Sequence, residues 1–500
     1  MRTKPGYYFS IIIFVAFISL VLIIENLPSE DSTKKNKRVN EDFQNQIKSF
    51  LLVRQGKIRN TKNIIQVTEK TILNQKALDF ENRVISKNLQ SNYLKNQLGI
   101  NITKIFQENN NDWQQVDGTK NKFYVYSAYF DNRKRKLIRI IAATKTKAQD
   151  KVKCIFWYKK SFLPFVVDGT NVLIRENWNL NYSAFFILCP LKEQYSVPDA
   201  VSVIERKRLI NDSSYQPSNW LNVENNFKLK QDKNNTNEIA VCVKPIHYSY
   251  DKILNLIEFI ELNILLGVNH FVMYNHTIGK NTKCLLKKYI KDGLVTVLPW
   301  NLNLTSQKEI RTEGLFAALN DCLYRTMYKY KHVAMIDLDE YIIPYKFDHL
   351  NQMIGFLNDH ITNKNQSISP GAYSFQNSFF YLQWPDDEVT AQNEKLKNLI
   401  TISKTRRKII LQKHKIRSKC IVNPEKVIEM GNHFVWEFVP GSTMINVSPT
   451  IGFLHHYRIC EFGGDDCVKA KSVIDKRVHF WGDKLIKRVD HTLNVFISQC

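Results

Sequence analysis

The sequence has no Cys-x-x-Cys pair, so the ligand spacing of a zinc ribbon is missing. It has no arginine-rich arm and no nucleic-acid motif, and its Lys and Arg are spread along the whole length. A basic balance without such features is a weak signal, and nucleic acid is not an expected partner. Acidic residues are few beside basic ones, 47 against 71, for a net charge of +24. With nucleic acid set aside, that excess suits an anionic membrane surface or anionic ligands such as nucleotide phosphates. No small-x-small cleavage site follows the uncharged run Tyr7–Ile24, because Glu25-Asn26-Leu27-Pro28-Ser29 comes directly after it. At eighteen residues the run is near the lower limit for a spanning helix. Residues 1–6 are therefore expected as a cytosolic tail and 7–24 as a transmembrane signal-anchor. Arg2 and Lys4 favour that orientation, although Lys34, Lys35, Lys37 and Arg38 lie close on the other side.

What is present reads as a globular chain, 44% hydrophobic and 24% charged, long enough at 500 residues for two or three domains. Nine cysteines fit an oxidising compartment with some disulfides, and the odd number leaves at least one thiol free or paired between chains. Sequons at Asn101, Asn181, Asn211, Asn234, Asn275, Asn303, Asn365 and Asn446 agree with the secretory route. Residues 25–118 have no proline after Pro28 and show apolar residues at helical spacing, as in Phe43, Ile47 and Phe50, which predicts a helical stem. A coiled coil joining two copies into a homodimer is an alternative for the stem, but the heptads are not sustained. Residues 119–210 carry short β-branched and aromatic runs between polar turns and predict a small β-rich domain. Residues 239–500 form the last domain.

In that domain strand and helix patterns alternate. Strands are expected at Ile239–Pro245, His270–Tyr274, Leu294–Leu298 and Val333–Ile336. Helices fall between them at Asp251–Leu266, near Thr282–Lys291 and at about Thr312–Tyr330. Such alternation implies an α/β fold with a mostly parallel sheet and flanking helices. A basic terminal helix is expected within Lys469–Cys500. The fourth strand runs into Asp337-Leu338-Asp339-Glu340, at the carboxyl end where such sheets bind ligands. Alternation along a strand would point Asp337 and Asp339 one way and Glu340 the other. Two adjacent carboxylates repel unless a cation lies between them, and oxygen ligands suit Mg²⁺ or Mn²⁺. An EF-hand is excluded, because Glu340 and Tyr341 stand where its spacing and turn glycine would be. A haloacid-dehalogenase-type phosphatase also places Asp-x-Asp after an apolar strand, and Gly464-Asp465-Asp466 imitates its later acidic pair. Its acids lie on the first strand of the core, however, and here three strand–helix units precede them. A third reading is a nucleotide-sugar glycosyltransferase, whose acids hold a divalent ion against the donor diphosphate, and the bland alternative is acids that merely cap a strand at the surface.

The chain resembles glycosyltransferase family 92. The matching pieces are Tyr126-Ser127-Ala128-Tyr129-Phe130-Asp131 with Arg133, Val197–Ser202, Val241–Pro245, Glu258–Glu261 and Leu266–Phe271. They continue with Asn320-Asp321-Cys322-Leu323-Tyr324-Arg325, Ile336–Tyr341, Lys419–Val422, Gly431-Asn432-His433 and His456-Tyr457-Arg458. Together they cover roughly residues 120–460 in order; the stem lies outside them. The resemblance implies a type II Golgi membrane protein with a luminal GT-A-like domain, using a UDP-sugar and Mn²⁺ (or Mg²⁺) on a glycan or glycoprotein acceptor. Galactose is the sugar it favours.

By the same resemblance Asp337 and Asp339 handle the metal and the ribose–diphosphate, Asp339 most directly, and His456 completes the metal shell. His455 beside it and His433 are alternatives. Lys244 and Asn275, at the ends of the first two strands, are expected near the donor, and Lys419 and Arg458 at its diphosphate. An inverting transferase also needs a carboxylate near the acceptor hydroxyl. Asp386 and Asp387, after Trp384-Pro385, and Glu437, after Trp436, are the candidates, since acids beside Trp suit a sugar-stacking site. Two acids after a proline equally describe a surface turn. A sugar-binding protein that kept the fold but lost turnover is the alternative of another class, and the phosphatase ranks third.

Overall fold

The computed structural model describes residues 112–159, 161–208, 217–225, 238–364, 369–392, 397–461 and 464–500. The expected tail, signal-anchor and nearly all of the stem, with its coiled-coil alternative, lie outside the described residues, as do the sequons at Asn101, Asn211, Asn234 and Asn365. Among the described residues no helix is long and apolar enough to cross a membrane.

Alternating β-branched and aromatic residues build an eight-stranded antiparallel sheet. Its strands are β1 (Gln114–Gln115), β2 (Phe123–Asp131), β3 (Leu137–Lys145), β4 (Val152–Tyr158), β5 (Ser161–Leu173), β6 (Tyr182–Pro190), β7 (Ala200–Glu205) and β8 (Leu221–Asn222). They lie in the order β1-β2-β3-β6-β5-β4-β7-β8. The sheet curls until Val223 bridges Ala128 in β2, enclosing a core that includes Phe123, Val125, Ile140, Phe156 and Val203. The β-rich region thus starts before residue 119 and ends beyond 210. Two-residue strands this short carry no readable period; only their partners β2 and β7 define them.

The second sheet has seven strands: β9 (Ile239–Cys242), β10 (His270–Asn275), β11 (Val295–Pro299), β12 (His332–Met335), β14 (Ser369–Phe375), β17 (Lys419–Val422) and β20 (Ser442–Asn446). Their order is β11-β10-β9-β12-β17-β14-β20. The pairs among β9 to β12 are parallel, β17 is antiparallel to β12 and β14, and β14 runs parallel to β20. The sheet is mixed and mostly parallel. Helices α1 (Ile253–Leu265), α2 (Lys280–Lys291), α3 (Leu315–Thr326) and α4 (Leu350–Lys364) supply the crossovers and flanks. Strand β9 stops at Cys242, short of the expected Pro245, as β12 beside it ends at Met335; a proline also has no N–H for a ladder. The expected 312–330 helix is shorter. Glu313 (φ 53°) and Gly314 (φ 76°) are left-handed, so the α-helix starts at Leu315 and ends at Thr326. At the C-terminus a strand and a 3₁₀ turn come first, and the helix occupies only Gly482–Gln499.

A three-stranded sheet decides the site. In it β13 (Glu340–Pro344) pairs antiparallel with β21 (Gly452–Arg458), which pairs parallel with β15 (Asn377–Tyr381). Two short antiparallel pairs complete the strands, β16 (Arg406–Lys408) with β22 (Ser472–Ile474) and β18 (Val427–Met430) with β19 (Val435–Phe438). The eight- and seven-stranded sheets meet through α3. Asp321, fully buried, accepts hydrogen bonds from the hydroxyls of Ser127, Tyr129 (2.6 Å) and Tyr274 (2.6 Å) and pairs with Arg325.

Candidate active site at the ends of the parallel strands

The acids Asp337 and Asp339 do not sit on a strand. β12 ends at Met335, and residues 337–339 form a turn closed by the Glu340 N–H donating to the Asp337 carbonyl at 3.1 Å. Period-2 alternation therefore fails to apply, and Glu340 does not point away. Its Oε2 accepts from the Asp337 N–H at 3.0 Å and lies 3.3 Å from Lys419 Nζ; its Oε1 lies 3.4 Å from His456 Nδ1. Glu340 joins the same cluster as the two aspartates.

Lys244, just past β9, reaches Asp337 Oδ2 at 2.8 Å, and Lys419, at the start of β17, reaches the same oxygen at 3.3 Å. Burial opposes ionisation of Asp337, but the two ammonium groups outweigh it and hold its carboxyl well below the usual range. Burial raises Glu340 despite the opposing charge of Lys419. Burial by itself would lower Lys419, which is only 2% exposed; the Asp337 and Glu340 carboxylates instead keep it firmly protonated. Asn432 Oδ1 accepts a further hydrogen bond from Lys419 at 3.0 Å.

Asp339 is the open member, its side chain 48% exposed, with Oδ2 3.2 Å from His456 Nε2. Partial desolvation opposes its charge, and the hydrogen bond with His456 outweighs that and lowers its carboxyl. The strand pairing that sets Glu340 opposite His456 is what brings the imidazole here. The neighbouring His455 faces away. It is fully buried, hydrogen-bonded to the hydroxyls of Tyr345 (2.9 Å) and Tyr457 (3.2 Å), and burial pushes it down to about 3. His433 contacts the Ser418 carbonyl at 3.1 Å and Asn432 Nδ2 at 3.1 Å, and forms no hydrogen bond or ion pair with the acids.

Other sequence candidates are not gathered. Asn275 ends β10, where its Oδ1 is buried without a partner among the described residues. Arg458 pairs with Glu461 and lies over the Phe379 ring. Asp386 pairs with Lys404 at 2.7 Å; Asp387 caps a short helix and pairs with Lys476 at 2.6 Å. Glu437 is held by Lys134 at 2.6 Å and by Arg175. None of these three acids forms a hydrogen bond or ion pair with Asp337, Asp339, Glu340 or His456. Sequence reasoning missed Glu340 and Asn377, whose Nδ2 is 3.0 Å from His456 Nδ1. The acidic run itself pointed to Glu340; nothing in the sequence marks Asn377, which arrives through the pairing of β15 with β21.

The donor set fits a divalent ion held in part by substrate. Asp339 Oδ2 and His456 Nε2, 3.2 Å apart, are near the ~3.0 Å between neighbouring ligands of an octahedral ion with ~2.1 Å bonds. Among the described residues no group of three or more His, Cys, Asp or Glu is arranged as a full protein cage. Hard ions at nucleotide sites commonly use one or two protein ligands and take the rest from phosphates and water. Asp337 contributes differently, since its Oδ2 is already shared by two lysines.

The chain is 21% identical over 385 residues to Beta-1,4-galactosyltransferase galt-1 of Caenorhabditis elegans, covering 74% of this chain and 81% of that protein. It is 25% identical over 149 residues to Glycosyltransferase family 92 protein F13G3.3 of the same organism, 28% of each. Among solved structures, S. aureus TarS 1-349 in complex with UDP-GlcNAc is similar at TM-score 0.23 and 13% identity, over 47% of this chain and 61% of that one. Glucosyl-3-phosphoglycerate synthase from Mycobacterium tuberculosis is similar at TM-score 0.22 and 15% identity, over 51% and 80%. Likeness that loose carries no structural conclusion. The family model for glycosyltransferase family 92 matches residues 237–494, which is more than half of the sequence, and the chain belongs to that family.

Proposed function

We propose that this glycosyltransferase moves a sugar, galactose by its likeness to the nematode galactosyltransferase, from a UDP-sugar to a glycan or glycoprotein acceptor with inversion. The observation that carries the metal-assisted form of this reading is the Asp339–His456 pair, 3.2 Å apart beside the Lys244–Asp337–Lys419 bridge. Mn²⁺ or Mg²⁺ bound by Asp339 and His456 would supply Lewis-acid stabilisation to the departing diphosphate. The residues themselves supply position and charge. Three carboxylates (Asp337, Asp339, Glu340) face two ammonium groups, a local deficit that favours a cation. Once that deficit is met, Lys244 and Lys419 favour the anionic diphosphate. The acceptor oxygen then attacks the anomeric carbon as the bond from that carbon to the phosphate oxygen breaks, and the nucleoside diphosphate leaves. The acceptor proton needs a base. Asp386, Asp387 and Glu437 are each ion-paired away from the cluster, so none of the three takes that role on the observed contacts.

The fold reading is GT-A-like, and the setting is the Golgi membrane, type II, with the catalytic domain luminal. Four disulfide-bonded pairs support an oxidising compartment. The test is incubation of the full chain with Mn²⁺, a panel of UDP-sugars and glycan acceptors. Sugar transfer is expected. Binding without transfer would favour the inactive sugar-binding alternative, and phosphate release from a monoester the phosphatase. Asp339→Asn is expected to lower transfer by about a hundredfold or more, with the melting temperature nearly unchanged. Unchanged transfer would remove the metal assignment.

A further inference from the structure

We propose that Glu340, with Asn377, is a positioning residue that fixes the tautomer of His456, so that Nε2 presents its lone pair on the Asp339 side. This rests on the metal-assisted reading above and deepens it. The register of β13 and β21 sets Glu340 directly opposite His456, so the two side chains leave the same face of the sheet as nearest neighbours. Glu340 is 2% exposed and anchored through one carboxylate oxygen. Its Oε2 is fixed by the Asp337 N–H at 3.0 Å and by Lys419 at 3.3 Å, which leaves Oε1 aimed at His456 Nδ1, 3.4 Å away.

A neutral imidazole carries one N–H. With that hydrogen on Nε2, the ring donates to Asp339 and has no lone pair there for an ion. With the hydrogen on Nδ1, the ring donates toward Glu340, and Nε2 becomes an acceptor beside the Asp339 oxygen. Asn377 sits at the same nitrogen. Its Nδ2 is 3.0 Å from Nδ1, while its Oδ1 is buried with no partner among the described residues. A half-turn of the amide exchanges these atoms and gives Nδ1–H a second acceptor. Both neighbours of Nδ1 can thus accept, and one of them is an anchored carboxylate. Outer-shell acceptors of this kind hold a ligating histidine in place, and their loss commonly costs about 10–100-fold in metal affinity.

The experiment titrates the full chain with Mn²⁺, reading free ion by its electron paramagnetic resonance, alongside the Mn²⁺ dependence of the rate. Glu340→Gln is expected to weaken Mn²⁺ binding about 10–100-fold. It should raise the Mn²⁺ needed for half-maximal rate by a similar factor. Adding Asn377→Asp to that variant moves a carboxylate to the other neighbour of Nδ1 and is expected to recover most of the affinity. Asn377→Leu leaves the Lys419 and Asp337 contacts of Glu340 intact and covers the case in which Glu340→Gln does not fold; a several-fold loss of affinity at wild-type melting temperature is expected. Wild-type Mn²⁺ affinity in folded Glu340→Gln, equal loss with and without Asn377→Asp, or wild-type affinity in Asn377→Leu would each overturn the proposal. His456→Ala separates the two levels. If it binds Mn²⁺ as wild type does, the ligand reading itself fails; if it loses binding while Glu340→Gln does not, only the positioning role fails.

Discussion

Two adjacent histidines end in opposite surroundings because successive side chains on β21 face opposite ways. His456 meets Asp339, Glu340 and Asn377; His455 enters the core against Tyr345 and Tyr457. With its pKa pushed down to about 3, His455 stays neutral through the physiological range, so His455→Leu is expected to affect stability and leave the Mn²⁺ requirement alone. Another buried group does respond to pH. Glu258 is 1% exposed, accepts hydrogen bonds from the Ile400 and Thr401 N–H groups and the Thr401 hydroxyl, and is pushed up by burial from 4.5 to about 7. A folded pKa above the unfolded one means the folded state binds the proton more tightly. The stabilisation is fully present below pH 4.5 and is lost as pH rises through about 7. The change is on the order of 3 kcal/mol, and thermal melts from pH 4.5 to 7.5 should show it in the wild type and largely lose it in Glu258→Gln. Exposure also sorts the sequons. Asn181, Asn303 and Asn446 are exposed, whereas Asn275 ends a core strand with its Oδ1 buried. Glycopeptide mapping after secretory expression should find the first three occupied and Asn275 bare.

At the scale of elements, the segments that carry the family resemblance do two different jobs. Ile336–Tyr341, Lys419–Val422 and the His456 segment build the site. Tyr126–Asp131 and Asn320–Arg325 meet each other instead, at Asp321, and join the two large sheets. Arg133 extends the seam, pairing with Asp131 and donating to the carbonyls of Pro424 and Val427. Asp321→Ala removes the acceptor of three hydroxyls and the partner of the largely enclosed Arg325, and is expected to cost about 3–5 kcal/mol. Denaturant unfolding measures it, and a change under 1 kcal/mol would deny the seam its role. The strand and helix positions of residues 239–336 were legible because each segment carries its own hydrophobic period. The turn at 337–339 was not, since an apolar run does not say at which residue its partner strands stop.

Across the whole molecule, the cysteine count limited the covalent frame without drawing it. Cys154–Cys189, Cys242–Cys322, Cys284–Cys500 and Cys460–Cys467 are bonded, and Cys420 is left as a buried thiol. Cys242–Cys322 ties the end of β9 to α3 close to Lys244, and Cys284–Cys500 ties α2 to the last helix across 216 residues. A thiol-reactive reagent should therefore titrate no cysteine in the folded chain and one per chain in denaturant. Burial pushes the Cys420 thiol up to about 12, which removes its reactivity twice over, by access and by protonation.

The sequence by itself determined the alternating strands and helices, the acidic motif at the end of the fourth strand, the shortage of acids that favours anionic ligands, and the likeness to one family. These are local patterns, each readable within a few turns or a single strand. Only the tertiary structure decided that Glu340 faces the site, that His456 rather than His455 meets Asp339 across 117 residues of chain, and that Asp386, Asp387 and Glu437 are each drawn into ion pairs with lysine or arginine. Register between strands so far apart depends on packing the whole core, and no local period encodes it.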